Sequence, residues 1–342
     1  MVYRAGGELS GSLRMIRLFR QHRMLLVMVY LLLMGLILLL PVAMGGVVSG
    51  LFGYAIWDMG HLVLGGGLAL VLAQLRGLRA VSRSRQWAVI VIATLLLALA
   101  FELLQLLVGR SSSAKDVVST GAGALLWLCM AQRPWPFHGT AKRLLTALLV
   151  ASLLVPLGPL CWALYVRLSA ANSFPVLADF ASPAYRGQWN ADDLLYLQRI
   201  ESPADPNSQA LQITLDDSRF ERRDAARYQI VRFTEFPSDW SDYDYLELSL
   251  HAEESLAVIL IVADLEYQMK RTYDRSNRFA MTLDLKPGAN YFRLQNKAWL
   301  VTSGGRVMDS RQIRQMHFVV KTMPDSGRQF VVNSIALSRQ DP

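Results

Sequence analysis

Apolar positions run almost unbroken through the first half of the chain and alternate with polar ones through the second. Five stretches of the first half read as membrane helices: 24–40, closed by Pro41, then 57–75, 87–108, 117–131 and 144–168. A helix needs about 20 apolar residues to cross the hydrocarbon core of a bilayer. The fourth stretch is short and rich in small residues. Beyond Ala171 the period changes to two. Segments 210–215, 228–234, 245–250, 257–263, 279–285, 291–294, 317–321 and 330–337 read as strands, separated by turn signals such as Asp216-Asp217 and Lys286-Pro287-Gly288. Eight short strands at this spacing predict a β-sandwich or jelly roll. The expected fold is therefore an α-helical bundle of five transmembrane helices followed by an all-β jelly-roll sandwich. Its parts are a basic cytoplasmic N-terminus (1–23), a membrane domain (24–168), a linker (169–178) and an extracytoplasmic β-domain (179–342).

Charge sets the expected orientation. The net charge is +8, but the two halves differ. Up to Ala171 the only acids are Glu8, Asp58, Glu102 and Asp116, while bases flank alternate ends of the apolar stretches. Arg14, Arg17, Arg20 and Arg23 precede the first stretch. Arg76, Arg79, Arg83 and Arg85 fill the second-to-third loop, and Arg133, Lys142 and Arg143 the fourth-to-fifth. Under the positive-inside rule the N-terminus is cytoplasmic and everything after 168 lies outside, in a multi-pass protein of the cell (cytoplasmic) membrane. The soluble part is slightly acidic, which argues against nucleic acid as a partner. The two cysteines, Cys129 and Cys161, fall toward opposite membrane faces and carry no metal spacing.

That orientation collects ionisable groups at one depth. Asp58 and His61 share a face of the second span, Glu102 and Gln105 a face near the end of the third. Arg110 and Lys115 lie in the following loop, and Asp116 opens the fourth span with Thr120 one turn on. Ionisable residues in spans are costly and mark functional sites by default. Glu102, Asp58 and His61 are candidates for acid/base work; Gln105, Arg110, Lys115, Asp116 and Thr120 are candidates for binding an anionic group. No metal ligand set is assigned. Gly60, Gly65, Gly66 and Gly67, with Gly121, Ala122, Gly123 and Ala124, allow the helices to approach closely. A structural ion-pair network is the competing explanation for the same residues.

The order Asp58-x-x-His61, Glu102-x-x-Gln105, Arg110, Asp116-x-x-x-Thr120-Gly121-x-Gly123 resembles the VanZ-like membrane family over about 25–131. Thr120 stands where that family usually has Asn. The resemblance implies a cell-envelope setting, a link to glycopeptide antibiotic susceptibility of the teicoplanin type, and a membrane lipid or lipid-linked envelope component as partner. It does not imply a defined reaction, so enzymatic activity stays open, and a scaffold that anchors the β-domain, or a non-catalytic protein that binds lipid or antibiotic, is the alternative.

The β-domain, with Trp240-x-x-Tyr243-Asp244-Tyr245 leading into its strands and a last strand ending Ile335-Ala336-Leu337, resembles galactose-binding-like jelly rolls over most of 179–337, including family-eleven-like carbohydrate-binding modules. This implies a glycan or an envelope protein as partner. Tyr243, Tyr245, Tyr267, Tyr273 and Trp299 are candidates for stacking on sugar, and Asp264, Arg271, Asp274 and Asn277 for hydrogen bonding to it. Strand aromatics more often pack in cores. No cofactor is evident. A structural calcium is admitted because such sandwiches often hold one, although no EF-hand loop or dense acid run marks its place.

Overall fold

A computed structural model describes residues 50–107, 112–131, 138–215, 228–270, 275–321 and 329–339. The expected span at 24–40, the whole basic N-terminal flank, Arg110, Arg133, Arg271, Tyr273 and Asp274 lie outside the described residues. The chain divides into two compact units. Of the described residues, one unit takes 55–158, and the other takes 50–54 together with those from 159 onward.

The first unit is helical. Its helices are α1 (Leu51–Ala73) from Ala55 on, α2 (Arg83–Leu107), α3 (Ala114–Ala131) and the first part of α4 (Gly139–Ser173). Among the described residues three helices are long and apolar enough to cross a membrane: α1, α2 and α4, of 23, 25 and 35 residues. At about 1.5 Å per residue, each exceeds a ~30 Å hydrocarbon core. A count of five is not supported. The first expected span falls outside the described residues. The fourth is a helix, α3, but only 18 residues long. Lys115, Asp116, Ser119 and Thr120 lower its hydropathy, and Ser119–Leu125 is buried on every side by its neighbours.

α2 shows how the unit packs. Its buried positions are Trp87, Ile90, Thr94, Ala98, Glu102 and Gln105, a single stripe at helical spacing. The opposite face exposes Val89, Ile92, Leu96, Leu99, Leu103 and Leu107. An apolar surface this long is what lipid covers, and soluble proteins rarely leave one bare. Inside, Trp87 and Ile90 pack with Ala69, Ala124, Leu125, Leu128 and Leu149. Two glycines set the distance between α1 and α3. A Cβ on Gly65 would lie 1.7 Å from the Thr120 carbonyl oxygen, and one on Gly123 would lie 1.9 Å from that of Leu62. Gly60 contributes nothing to this seam, since its Cβ position meets no atom within 4 Å.

The second unit is an antiparallel β-sandwich. Its strands are β1 (Val176–Ala178), β2 (Trp189–Ala191), β3 (Leu195–Glu201), β4 (Gln209–Leu215), β5 (Tyr228–Phe233), β6 (Tyr245–Ala252), β7 (Leu256–Asp264), β8 (Phe279–Leu285), β9 (Gly288–Gln295), β10 (Ile313–Lys321) and β11 (Gln329–Ser338). One sheet has the order β3-β4-β11-β6-β9, with β1 also on β11; the other has the order β2-β5-β10-β7-β8. All eight expected strands are present, β4 to β11. Missed were β1, β2 and β3, the first two being only three residues long.

Alternation dictates which face is buried. In β6, Leu246, Leu248, Leu250 and Ala252 point inward, while Tyr245, Glu247, Ser249 and His251 point outward. β7 lies between β10 and β8 and is buried at nearly every position from Val258 to Asp264. The core is aromatic: Trp189 stacks on Phe233 at 4.6 Å and on Phe318 at 5.9 Å, and Trp240 meets Trp299 edge to face at 5.5 Å. Each such ring contributes on the order of 1.5–3 kcal/mol by burial. Both cysteines are free thiols.

Candidate functional site

In the helical unit the buried stripe of α2 ends on Glu102 and Gln105, 5% and 3% exposed. Facing them are His61 of α1, 4% exposed, and Thr120 of α3, 1% exposed. The Glu102 carboxylate accepts the Ser113 backbone N–H at 2.6 Å through Oε2. His61 Nε2 stands 3.5 Å from Asp116 Oδ2. Asp116 lies in the first turn of α3, where the helix dipole favours a negative charge. One ligand atom each from His61, Glu102 and Asp116 lies within 4.8 Å of the others. These three, with Leu64, Ala98, Phe101, Gln105 and Thr120, line a small, partly open cavity of about 10 Å³, the room of roughly one water-sized sphere.

The pairing differs in detail from the expectation. Asp58 is not grouped with His61 and Glu102: it accepts a charge-assisted hydrogen bond from Lys115 Nζ. Lys115 is thereby committed to a carboxylate. The Thr120 hydroxyl donates to the Asp116 carbonyl at 2.8 Å, a bond within its own helix. Asp116, expected to bind a ligand, takes the place beside His61 and Glu102 that was given to Asp58. The sequence assigned no metal ligands, whereas His61, Glu102 and Asp116 form a set able to hold a cation. Arg110 lies outside the described residues.

In the sandwich, several candidates for sugar contact turn out to be structural. Trp299 is fully buried against Trp240 and offers no face to a ligand. Asp264, 1% exposed, receives the Arg306 guanidinium in a fork, Nη1 to Oδ2 at 2.7 Å and Nη2 to Oδ1 at 2.9 Å. It also accepts the backbone N–H groups of Asp309 and Tyr267. Burial would raise the Asp264 pKa, but Arg306 and the two backbone donors together hold it below the usual carboxylate value. Asn277 belongs to the same hub, its side-chain oxygen accepting from Arg306 Nε. The Tyr267 hydroxyl accepts from Arg278 at 3.3 Å. Tyr243 is half-buried, edge to face with Phe174 at 5.3 Å. Tyr245 lies under the Arg293 guanidinium at 4.0 Å. Arg271, Tyr273 and Asp274 lie outside the described residues. The hub's centre, Arg306, was not singled out in the sequence.

A different surface gathers the exposed polar and aromatic groups. On the outer face of the β3-β4-β11-β6-β9 sheet, register aligns Tyr196 with Thr214, Gln198 with Gln212, Ser249 with Tyr291, and Glu247 with Arg293. Tyr196 and Tyr291 are 56% and 62% exposed. Between them runs a bonded row: Gln212 donates to Gln329 at 2.9 Å, Asn333 accepts from Ser202 at 2.9 Å, and Arg293 pairs with Glu247 at 3.2 Å. Partial desolvation and a hydrogen bond to Glu247 raise the pKa of the Tyr291 phenol. Exposed tyrosines beside hydrogen-bonded amides and charges make a face suited to hydroxyl-rich ligands.

No family model and no curated protein matches the chain. Among solved structures, the sandwich resembles carbohydrate-binding modules. One is the family 11 module from Clostridium thermocellum in complex with a β-1,3-1,4-mixed-linked tetrasaccharide, 10% identical with a TM-score of 0.35, covering 48% of this chain and 94% of that one. Another is the family 30 module of a cellulosomal cellulase of the same organism, 11% identical with a TM-score of 0.33, covering 45% and 92%. An exo-β-agarase is 12% identical with a TM-score of 0.37, covering 49% of this chain and 26% of its own. The VanZ-like resemblance of the helical unit therefore rests on its residues alone.

Proposed function

We propose that this chain is a multi-pass cell-envelope membrane protein, N-terminus cytoplasmic, whose helical unit binds or modifies an anionic or glycosylated envelope component. Its β-sandwich recognises a glycan. The carrying observation is the set of buried His61, Glu102, Gln105 and Thr120 with half-buried Asp116 around one small cavity, inside a bundle whose other faces are leucine-rich. Polar groups in such a setting are expensive unless they serve a ligand or one another. The VanZ-like order of these residues supports an envelope setting and a link to glycopeptide susceptibility. For the glycan, support comes from the outer face carrying Tyr196 and Tyr291, and a structural calcium in the sandwich remains part of the same proposal.

The test is a time course. Purified full-length protein in lipid nanodiscs is incubated with an envelope lipid extract, and the components are followed by mass spectrometry. Progressive conversion supports a modifying enzyme; stoichiometric retention without conversion supports binding. Neither, in both wild type and Glu102→Gln, overturns the proposal and leaves the helices as an anchor.

A further inference from the structure

His61, Glu102 and Asp116 come from three different helices and meet with one nitrogen and two carboxylates, their ligand atoms within 4.8 Å of one another. We infer that they hold a single divalent first-row metal ion, zinc or manganese. This deepens the reading of the cluster as a ligand site and rests on it.

Donor chemistry selects the ion. Two hard carboxylates with one imidazole suit zinc or manganese, whereas calcium and magnesium prefer all-oxygen shells. Geometry is close to what is needed. With metal–ligand bonds of about 2.0–2.1 Å, neighbouring tetrahedral ligands stand about 3.4 Å apart. The His61 Nε2 to Asp116 Oδ2 separation is already 3.5 Å. Glu102 closes the remainder by a side-chain adjustment of about an ångström. The cavity that these three line has the room of about one sphere of water size.

The supporting contacts are those a metal site uses. The Ser113 N–H fixes one oxygen of Glu102, as outer-shell donors do for metal-bound carboxylates. Lys115, the nearby cation of α3, is held by Asp58. Gln105 and Thr120 complete the lining. Three protein ligands leave a position on the ion for an oxygen of a phosphate, carboxylate or sugar hydroxyl. That explains how a pocket with two carboxylates can receive an anionic or hydroxyl-rich ligand at all.

The full chain is purified in detergent, soaked with excess Zn²⁺ or Mn²⁺, passed over a desalting column and assayed by elemental analysis. Wild type is expected to retain about one ion per chain. His61→Ala and Glu102→Gln should lose it, while His251→Ala in the β-domain keeps it. Equal metal content in wild type and the cluster variants overturns the inference, as does no retained metal in wild type. Should the cluster variants fail to fold, Co²⁺ added to wild type gives a second readout. Visible ligand-field bands displaced by Zn²⁺ are expected, and their absence overturns the inference. A protein that binds or converts its envelope component without retaining metal refutes this inference alone, leaving the proposed function standing.

Discussion

His317 gives the sandwich a pH dependence whose sign and size follow from its place. It lies within β10, paired with Arg232 of β5 and Ile261 of β7. Burial first, then the positive charges of Arg232 and Arg278, lower its pKa to about 4, with Asp192 opposing. The unfolded chain keeps the ordinary value near 6.5. Between those two values the unfolded state binds a proton that the folded state refuses. Stability is therefore complete above about pH 6.5 and falls as the pH drops toward 4. A gap of about 2.5 units corresponds to about 3 kcal/mol, an upper bound because part of the ring remains accessible. The slope in that window is at most about 1.4 kcal/mol per pH unit. Urea unfolding of the detergent-solubilised chain, followed by the fluorescence of buried Trp189, Trp240 and Trp299, measures it. His317→Gln removes the titrating group, so its stability should decline less steeply than that of wild type between pH 6.5 and 4.5, the window the lowered pKa opens. Parallel curves would show that His317 titrates normally and refute the reasoning.

Four further outcomes are expected. Arg306→Ala leaves the Asp264 carboxylate buried without its fork and should destabilise the sandwich by about 3–5 kcal/mol, read as a lower unfolding midpoint; Asp264→Asn added to it should recover part of the loss. Gly65→Val or Gly123→Val forces a side chain into a backbone carbonyl across the α1–α3 seam and should cost about 2 kcal/mol or more in a thermal melt. Gly60→Ala, at a position open to space, should stay within about 1 kcal/mol of wild type or stabilise it. Tyr196→Ala and Tyr291→Ala should weaken retention in affinity electrophoresis against soluble polysaccharides, with melting unchanged; unchanged retention in both removes that face as the glycan site.

The sandwich was legible because alternation is a local signal: the eight expected strands follow from the period of two and the turn signals between them, although β7 itself is buried at nearly every position. Strands β1 and β2 were invisible because three residues cannot show a period. In β9 the pattern separated inward Phe292 and Leu294 from outward Tyr291 and Arg293, and would have favoured Tyr291 over Trp299 as a sugar contact. Trp299 sits in a one-turn helix outside any strand, so no alternation marks it as core. The Asp264–Arg306 fork joins residues far apart in the chain and had no local signature. In the helical unit the residues of the cluster were named, but not their pairing. Which acid meets His61 depends on how α1 slides along α3. The contacts of Gly65 with Thr120 and of Gly123 with Leu62 decide that slide. Once it is set, Lys115 faces Asp58 and Asp116 faces His61.

The central claim is that the cluster around His61, Glu102 and Asp116 serves a ligand and does not merely staple helices. Native mass spectrometry of the chain released from its own membrane tests this most directly. Wild type should carry an envelope-derived component that Glu102→Gln, at equal abundance and equal melting temperature, no longer carries. The same bound species in both proteins, at the same occupancy, would contradict the account.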